Sequence, residues 1–186
     1  MKVAFYTLGC KVNLYESEVL MNKFKNKGYE IVDFDKLSDI YIINTCTVTN
    51  TSDSKSRKII RQAIKKNLNS IVVVMGCYSQ IKSEEVEKID GVNIVIGSKD
   101  KGKVLELVEQ YIKDNKNINN VSDIMNSTFE DMELDSLQTR TRAFIKIQDG
   151  CNNYCSYCII PYSRGNIRSK SINSVLKEVN KLVDNG

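Results

Sequence analysis

Histidine is absent from this 186-residue chain, and no apolar run is long enough to cross a membrane. Without histidine, Cys₂His₂ zinc sites, Rieske centres, histidine-ligated haem and a Ser-His-Asp triad are excluded. A membrane-spanning helix needs roughly 18 or more consecutive apolar residues. No signal peptide is recognisable, because the first residues run straight into a strand-like segment. We therefore expect a cytoplasmic protein with no membrane partner.

The chain has six cysteines, and cysteine thiolates are the obvious ligands for any metal it binds. In a reducing cytoplasm, clustered cysteines indicate metal binding or redox chemistry more often than disulfides. The rest of the composition, 41% hydrophobic and 27% charged, is typical of a soluble globular protein. The net charge of +4 gives only weak support for a nucleic-acid partner.

Strand and helix signals alternate from the N-terminus to about residue 111, which predicts an α/β fold with an open, mostly parallel sheet flanked by helices. Predicted strands cover residues 2–8, 29–34, 40–44, 71–75 and 92–96, and predicted helices cover residues 14–27, 52–66, 84–89 and 101–113. The pattern then dissolves over residues 114–139, which are rich in asparagine and scattered acids such as Asp135. We assign residues 1–113 to an α/β domain and residues 114–139 to a linker.

The remaining residues, 140–186, hold a predicted strand over 142–148, a cysteine loop and a predicted helix over 172–185. One strand, one loop and one helix make a single βα unit, which cannot bury a core of its own. We therefore expect residues 140–186 to be the truncated start of a second, barrel-like domain.

The cysteine loop carries Cys151, Cys155 and Cys158 in a C-x₃-C-x₂-C arrangement. Three thiolates on one tight loop can hold three irons of a [4Fe–4S] cluster. The fourth iron would then be open to the amino and carboxylate groups of S-adenosyl-L-methionine, whose reductive cleavage gives a 5′-deoxyadenosyl radical. We expect these cysteines to be catalytic and Tyr157 to pack against the adenine. A zinc knuckle or a ferredoxin site would need a fourth ligand nearby, which the sequence lacks locally.

The other three cysteines, Cys10, Cys46 and Cys77, each follow a predicted strand. Because the carboxyl ends of parallel strands share one edge of a sheet, we expect the three thiols to converge there. Gly9 and Gly76 would permit sharp turns or close approach of the backbone. Three converging thiolates again fit a [4Fe–4S] cluster. The alternative is three unrelated buried cysteines, since free cysteine is often buried.

With its two cysteine triplets, the chain resembles the radical S-adenosylmethionine methylthiotransferases. The matching segments are residues 7–13 (TLGCKVN), 44–49 (NTCTVT), 76–78 (GCY), 142–151 (RAFIKIQDGC) and 159–165 (IIPYSRG). Residues 7–13 and 52–57 (SDSKSR) resemble the branch that acts on N6-threonylcarbamoyladenosine in tRNA. The isopentenyladenosine branch usually has FGCQMN around the first cysteine, and the ribosomal-protein branch has LGCPKN.

The resemblance implies transfer of a methylthio group to C2 of the modified adenosine beside the anticodon. It implies two [4Fe–4S] clusters, S-adenosyl-L-methionine, an electron donor such as flavodoxin or ferredoxin, and a sulfur donor. The first cluster, on Cys10, Cys46 and Cys77, would carry the sulfur. Family members continue through a full barrel and usually an RNA-binding β-barrel, so we expect this chain to be incomplete. The alternatives are the isopentenyladenosine branch, the ribosomal-protein branch and a non-catalytic iron–sulfur module.

Basic residues bracket the cysteine loop and also line the predicted helix over residues 52–66. We predict that Arg164 and Arg168 contact tRNA phosphates, although a solvated surface is the alternative. A solvated face is the favoured interpretation for the helix. Asn13 and Asn44, which lie near cluster cysteines, are predicted to hydrogen-bond nearby turns. The basic residues concerned are Lys55, Arg57, Lys58, Arg61, Lys65 and Lys66 on the helix, and Arg140, Arg142, Lys146 and Lys170 near the loop.

Overall fold

A computed structural model describes residues 1–134 and 142–185 of the chain. In this part, six strands form one sheet in the order β2-β1-β3-β4-β5-β6, and every neighbouring pair is parallel. The central strands β3 and β4 are buried along their whole length, as expected when helices cover both faces of a parallel sheet. The predicted open parallel sheet is confirmed. The strands are β1 (Lys2–Thr7), β2 (Glu30–Val32), β3 (Ile40–Thr45), β4 (Ile71–Gly76), β5 (Ile94–Ile96) and β6 (Ile118–Asn120).

Helices cover the two faces of the sheet, and successive residues of a strand point to opposite faces. On one face, Ile40 and Ile42 pack in a core with residues of α1 and α5. On the other face, Tyr41 and Ile43 pack in a core with residues of α2. The described helices are α1 (Lys11–Asn26), α2 (Asn50–Lys66), α3 (Cys77–Ile81), α4 (Ser83–Glu87), α5 (Val104–Asp114, after a 3₁₀ turn at Lys101–Lys103), α6 (Ile160–Arg164) and α7 (Ile172–Asp184). Among the described residues, no helix combines the length and apolar character needed to cross a bilayer.

The strand order reverses between β1 and β3, because the chain adds β2 on one side of β1 and all later strands on the other. In open α/β sheets, the crevice outside the carboxyl ends of the strands at such a switch point is where ligands bind. The carboxyl ends of β1 and β3 lie side by side, with Thr7 opposite Asn44. Cys46 comes directly after β3, and Cys10 lies three residues after the end of β1.

The segment predicted as a linker contains ordered structure that the sequence pattern missed. Residues Ile118–Asn120 form β6, which pairs with β5. Ile124, Met132 and Leu134 are buried, although they lie in an asparagine-rich and acidic stretch. The domain boundaries stay a prediction, and residues 135–141 and 186, Asp135 and Arg140 among them, lie outside the described residues.

The strand predicted over residues 142–148 is wrong for all but its last residue. The observed strand β7 is Gln148–Asp149, and it pairs antiparallel with β8 (Arg168–Ser169). A strand needs a neighbour for its ladder hydrogen bonds, and β8 is the strand that lies beside β7 in the part of the chain described. Lys146, inside the predicted strand, instead buries its ammonium group in ion pairs.

Candidate functional site

The first cysteine triplet lies at the carboxyl edge of the sheet, after three strands that are neighbours in it. Cys10 follows β1 and immediately precedes α1, Cys46 follows β3, and Cys77 follows β4 and begins α3. Cys46 and Cys77 are buried, whereas Cys10 is exposed. The predicted placement after strand ends is therefore found, at the switch point of the sheet.

Two glycines let the backbone turn beside these cysteines. Gly9 and Gly76 have φ angles of +99° and +105°, a region that side-chain-bearing residues rarely adopt. A methyl group on Gly9 would lie 2.8 Å from Cys46 Cβ and 3.0 Å from Cys46 Sγ. A methyl group on Gly76 would lie 2.6 Å from the Thr45 carbonyl oxygen. The close approach of the three strand-end turns thus depends on both glycines.

Asn13 ties two of these turns together. Its side-chain amide donates to the carbonyl oxygens of Leu8, at 2.7 Å, and Thr45, at 3.0 Å. Its Oδ1 accepts a contact of 3.7 Å from the Cys10 thiol. Asn44 supports Asn13 from behind by donating to the Asn13 carbonyl oxygen at 2.9 Å. The predicted bonding to nearby turns is confirmed for Asn13, whereas Asn44 bonds to Asn13 and Ser17 within α1.

The second triplet lies on the loop between β7 and α6. The Cys151 amide donates to the carbonyl oxygen of Gly165 at 3.1 Å, and the Cys158 amide donates to the Cys155 carbonyl oxygen at 2.9 Å. Cys155 is exposed, and Cys151 and Cys158 are half-buried. The loop is therefore anchored at its first cysteine and open to solvent at its middle one, which leaves the thiols accessible to a ligand.

Tyr157, predicted to pack against an adenine, is 90% exposed. Its neighbour Tyr154 instead packs edge-to-face on Tyr162, with ring centroids 6.2 Å apart, and donates its hydroxyl to Asn166 Oδ1 at 2.8 Å. The loop therefore has one aromatic ring held against the protein and one ring turned to solvent. The adenine contact of Tyr157 stays a prediction.

Arg164 and Arg168, predicted to contact RNA, both point inwards. Arg164 is only 5% exposed, and its guanidinium donates to Asn13 Oδ1 at 2.5 Å and to Asp149 Oδ1 at 3.0 Å. Arg168 donates to the carbonyl oxygens of Arg164 and Asn166, at 2.6 and 3.2 Å. The burial of Arg164 is incompatible with direct contact to an RNA phosphate in this conformation.

Arg164 belongs to a buried ionic network that joins α1 to the residues around the cysteine loop. Its centre is Glu16, fully buried, whose carboxylate accepts from Lys101 at 2.5 Å and from Lys146 and Arg164 at 3.3 Å each. The second anion, Asp149, pairs with Arg164 and with Lys146. Arg168 also contacts Asp149, at 3.6 Å. Four cations thus face two carboxylates, which leaves positive charge in excess.

The pKa values of the network follow from this charge balance. Burial alone would raise the pKa of Glu16, but Lys101, Arg164 and Lys146 outweigh it, and the pKa lies well below its usual range. Burial also raises the pKa of Asp149, but Arg164 and Lys146 lower it by more, so that the pKa lies below its usual value. Burial lowers the pKa of Arg164, but Glu16, the Cys77 thiol and Asp149 raise it well above its usual value. Both carboxylates and Arg164 are therefore charged at neutral pH, beside the first triplet.

A family model described as "Uncharacterized protein family UPF0004" matches residues 2–97, which include Cys10, Cys46 and Cys77. The chain belongs to this family. The buried Glu16 and the switch-point crevice also lie within the matched UPF0004 segment.

Curated proteins that are similar to the chain carry methylthiotransferase names. Threonylcarbamoyladenosine tRNA methylthiotransferase MtaB of Bacillus subtilis is 49% identical over 99% of this chain and 41% of its own length. The protein of the same name from Aquifex aeolicus is 40% identical over 100% of this chain and 46% of its own length. A tRNA-2-methylthio-N(6)-dimethylallyladenosine synthase of Pseudothermotoga lettingae is 35% identical over 100% of this chain and 43% of its own length. The chain thus spans less than half the length of these relatives, and corresponds to the N-terminal part of MtaB-like proteins.

The UPF0004 segment contains functional candidates that sequence reasoning missed. The sequence does not single out Glu16, or Lys101 just beyond the segment, because a single charged residue is usually solvated. One signal was available: Asn13, Glu16 and Leu20 recur at helical spacing on the same buried stripe of α1. A charge on such a stripe needs a partner, although the sequence does not say which one.

The donor chemistry of the UPF0004 segment, three cysteine thiols that follow neighbouring strands, is compatible with an iron–sulfur cluster. Within residues 1–134 and 142–185, no three Cys, Asp or Glu side chains converge as the ligands of one ion do. The convergence of Cys10, Cys46 and Cys77 on one centre therefore stays a prediction. The donor set of three thiols, with buried cations beside it, suits a cluster carrying negative charge.

Proposed function

We propose that the chain carries the two iron–sulfur sites of a radical S-adenosylmethionine enzyme that adds a methylthio group to C2 of N6-threonylcarbamoyladenosine in tRNA. The observation that carries the proposal is the packing of α6, which follows the second cysteine loop, against α3, which begins at Cys77. The Arg164 side chain reaches Asn13, across 151 positions of sequence. A reaction that joins radical chemistry to sulfur transfer needs both centres at one place.

The names of the relatives support this substrate over its alternatives. The relatives at 49% and 40% identity are named for threonylcarbamoyladenosine in tRNA. Proteins named for dimethylallyladenosine in tRNA and for ribosomal protein uS12 are each 35% identical. Because the chain spans less than half of each relative, the proposed activity is that of the whole protein to which these residues correspond.

The residues have distinct roles in this proposal. Cys10, Cys46 and Cys77 hold one [4Fe–4S] cluster, and Cys151, Cys155 and Cys158 hold the second, which binds S-adenosyl-L-methionine. When bound, the second cluster and S-adenosyl-L-methionine supply one-electron reduction and a radical. Gly9 keeps space beside Cys46, and Asn13 fixes the turns that carry Cys10 and Cys46. Tyr157 is exposed and available to stack on the adenine.

The partners follow from the same chemistry. The protein needs a tRNA substrate, a sulfur donor and an electron donor such as flavodoxin or ferredoxin, and all three are met in the cytoplasm. Neither Arg164 nor Arg168 is proposed as a contact to RNA, because both guanidinium groups point inwards and are held by protein groups. Exposed cations on α2, Lys55, Lys58 and Arg61 among them, are the better-placed contacts to phosphate, because their side chains face solvent.

The experiment is mass spectrometry of tRNA nucleosides from a strain in which the gene encoding this chain is deleted. We expect the 2-methylthio derivative of N6-threonylcarbamoyladenosine to disappear and the unmodified nucleoside to accumulate. A plasmid copy of the gene should restore the product, and a copy carrying Cys155→Ala should not.

Other outcomes of this experiment identify the alternatives. Loss of the methylthio group from isopentenyladenosine, or from ribosomal protein uS12, would contradict the proposed substrate while retaining the reaction. Full restoration by the Cys155→Ala copy would contradict the radical chemistry, and would point to a non-catalytic iron–sulfur module.

A further inference from the structure

Arg164 is the residue that connects the two cysteine sites. One nitrogen of its guanidinium, Nη2, donates to Asn13 Oδ1 at 2.5 Å, and the Cys10 thiol lies 3.7 Å from the same oxygen. Asn13 in turn holds the carbonyl oxygen of Thr45, the residue before Cys46. A single planar group therefore reaches the turns of two first-site cysteines through one amide side chain.

The same segment holds the second site. Gly165, next in sequence, accepts the Cys151 amide at 3.1 Å. The other guanidinium nitrogen of Arg164, Nη1, donates to Asp149 Oδ1 at 3.0 Å, two residues before Cys151. The Gly165 backbone packs closely against Ile124, since a methyl group on Gly165, whose φ is +76°, would lie 2.4 Å from the Ile124 carbonyl oxygen. Arg164 is thus fixed between Asn13 on one side and the Cys151 turn on the other.

We propose that Arg164 is a positioning residue that fixes the two cysteine triplets relative to one another, by holding Asn13 with one nitrogen and Asp149 with the other. This inference rests on the proposed function, because it takes both triplets to be cluster sites. Arginine suits the task because its planar fork presents several donors in a fixed geometry, whereas lysine offers a single flexible point charge.

The coupling has a test that needs no bound cluster: alkylation of each thiol by iodoacetamide, followed over time by peptide mass spectrometry. The full chain is used, purified without cluster reconstitution. We expect Asn13→Ala, a change in the first site, to speed alkylation of Cys151 in the second site by about tenfold, since it removes a charge-assisted hydrogen bond from Arg164. Asn93→Ala is the matched control. Asn93 also lies in the α/β domain, but its side chain bonds the Val72 amide and the Tyr111 hydroxyl, so the Cys151 rate should stay at the parent value.

The reciprocal variant is Arg164→Lys, which keeps the charge but loses the fork. We expect it to speed alkylation of the buried Cys46 by a similar factor. Lys177→Gln, which removes an exposed cation of α7 that pairs with Glu133, should leave the Cys46 rate unchanged. If Asn13→Ala does not fold, so that all six thiols react at the denatured rate, Arg164→Lys decides the question alone. The inference would be overturned if Cys151 in folded Asn13→Ala were alkylated at the same rate as in the parent protein. The same holds if Cys46 in Arg164→Lys were alkylated at the parent rate.

Failure of the inference and failure of the proposed function give different results. In one outcome, a substitution at one triplet changes the alkylation rate at the other, but the parent protein binds no iron on reconstitution. That outcome would contradict the proposed function and leave Arg164 as a positioning residue of the fold. Two loaded clusters with independent thiols would overturn the inference and leave the function standing. In the loaded protein, Arg164→Lys should also change the magnetic interaction between the two reduced clusters in electron paramagnetic resonance spectra, which a purely local structural role would not alter.

Discussion

Glu16→Ala should lower the free energy of unfolding by about 3–5 kcal/mol, as expected when one partner of a buried ion pair is removed. Glu16 is fully buried, and its carboxylate is the partner of Lys101 at 2.5 Å. Without it, the fully buried Lys101 ammonium loses that partner, and Lys146 and Arg164 retain only Asp149 as a buried anion. Urea denaturation followed by circular dichroism measures the loss.

Glu84→Ala is the matched control, since Glu84 is an exposed glutamate on α4. Its unfolding free energy should change by no more than about 0.5 kcal/mol, as is usual for surface substitutions. A similar small change for Glu16→Ala would show that the network contributes little to stability.

The same denaturation series at different pH values tests the charge state of the network. The pKa values of Glu16 and Asp149 lie below their ordinary values of 4.5 and 3.8 in the folded chain. Carboxylates of this kind stabilise the fold above the unfolded pKa and lose that contribution as the pH falls through the folded value. The parent should therefore lose stability steeply below pH 4.5, and Glu16→Ala should show a shallower slope there.

Gly9→Ala should abolish cluster assembly at the first triplet. The added methyl group would lie 2.8 Å from Cys46 Cβ, closer than non-bonded carbon atoms approach, and Cys46 or the turn of residue 9 must move. We expect the reconstituted variant to hold about four irons, the content of one cluster, instead of about eight. Iron and acid-labile sulfide analysis after anaerobic reconstitution gives the result.

Gly28→Ala separates this clash from backbone strain. Gly28 also has a positive φ, +91°, but no atom lies within 4 Å of a methyl group placed there. Both variants carry the left-handed backbone penalty of about 1–2 kcal/mol, so the two should differ in iron content and not only in stability. Equal iron content in the two variants would show that the space beside Cys46 is not required.

The central sheet could be predicted because its strands are short apolar runs, such as residues 71–75, separated by amphipathic helices. The strand at Ile118–Asn120 could not, since two asparagines give it no apolar pattern. It joins the sheet because it pairs with the edge of β5. The sequence of residues 118–120 alone does not reveal that this edge is open to a further strand. The strand predicted over residues 142–148 fails for a related reason. Polar and apolar residues do alternate in this segment, but the Lys146 ammonium group binds Glu16, 130 positions away.

The cysteine positions of the candidate site could be predicted, because a cysteine after each of three parallel strands has only one edge on which to lie. The roles of polar residues could not. Arg164 and Arg168 follow a cysteine loop in a basic stretch, and nothing in that pattern distinguishes an exposed arginine from one buried against Asn13. Burial and ion-pair partners are set by how the loop docks on α1, which depends on contacts far apart in sequence.

The central claim is that each cysteine triplet holds its own four-iron cluster. Anaerobic reconstitution of three proteins tests it most directly: the parent, a variant with Cys10, Cys46 and Cys77 all changed to alanine, and a variant with Cys151, Cys155 and Cys158 all changed to alanine. Iron analysis should give about eight irons for the parent and about four for each variant. About four irons in the parent, with one triplet dispensable, or a single tightly bound ion such as zinc, would contradict the account.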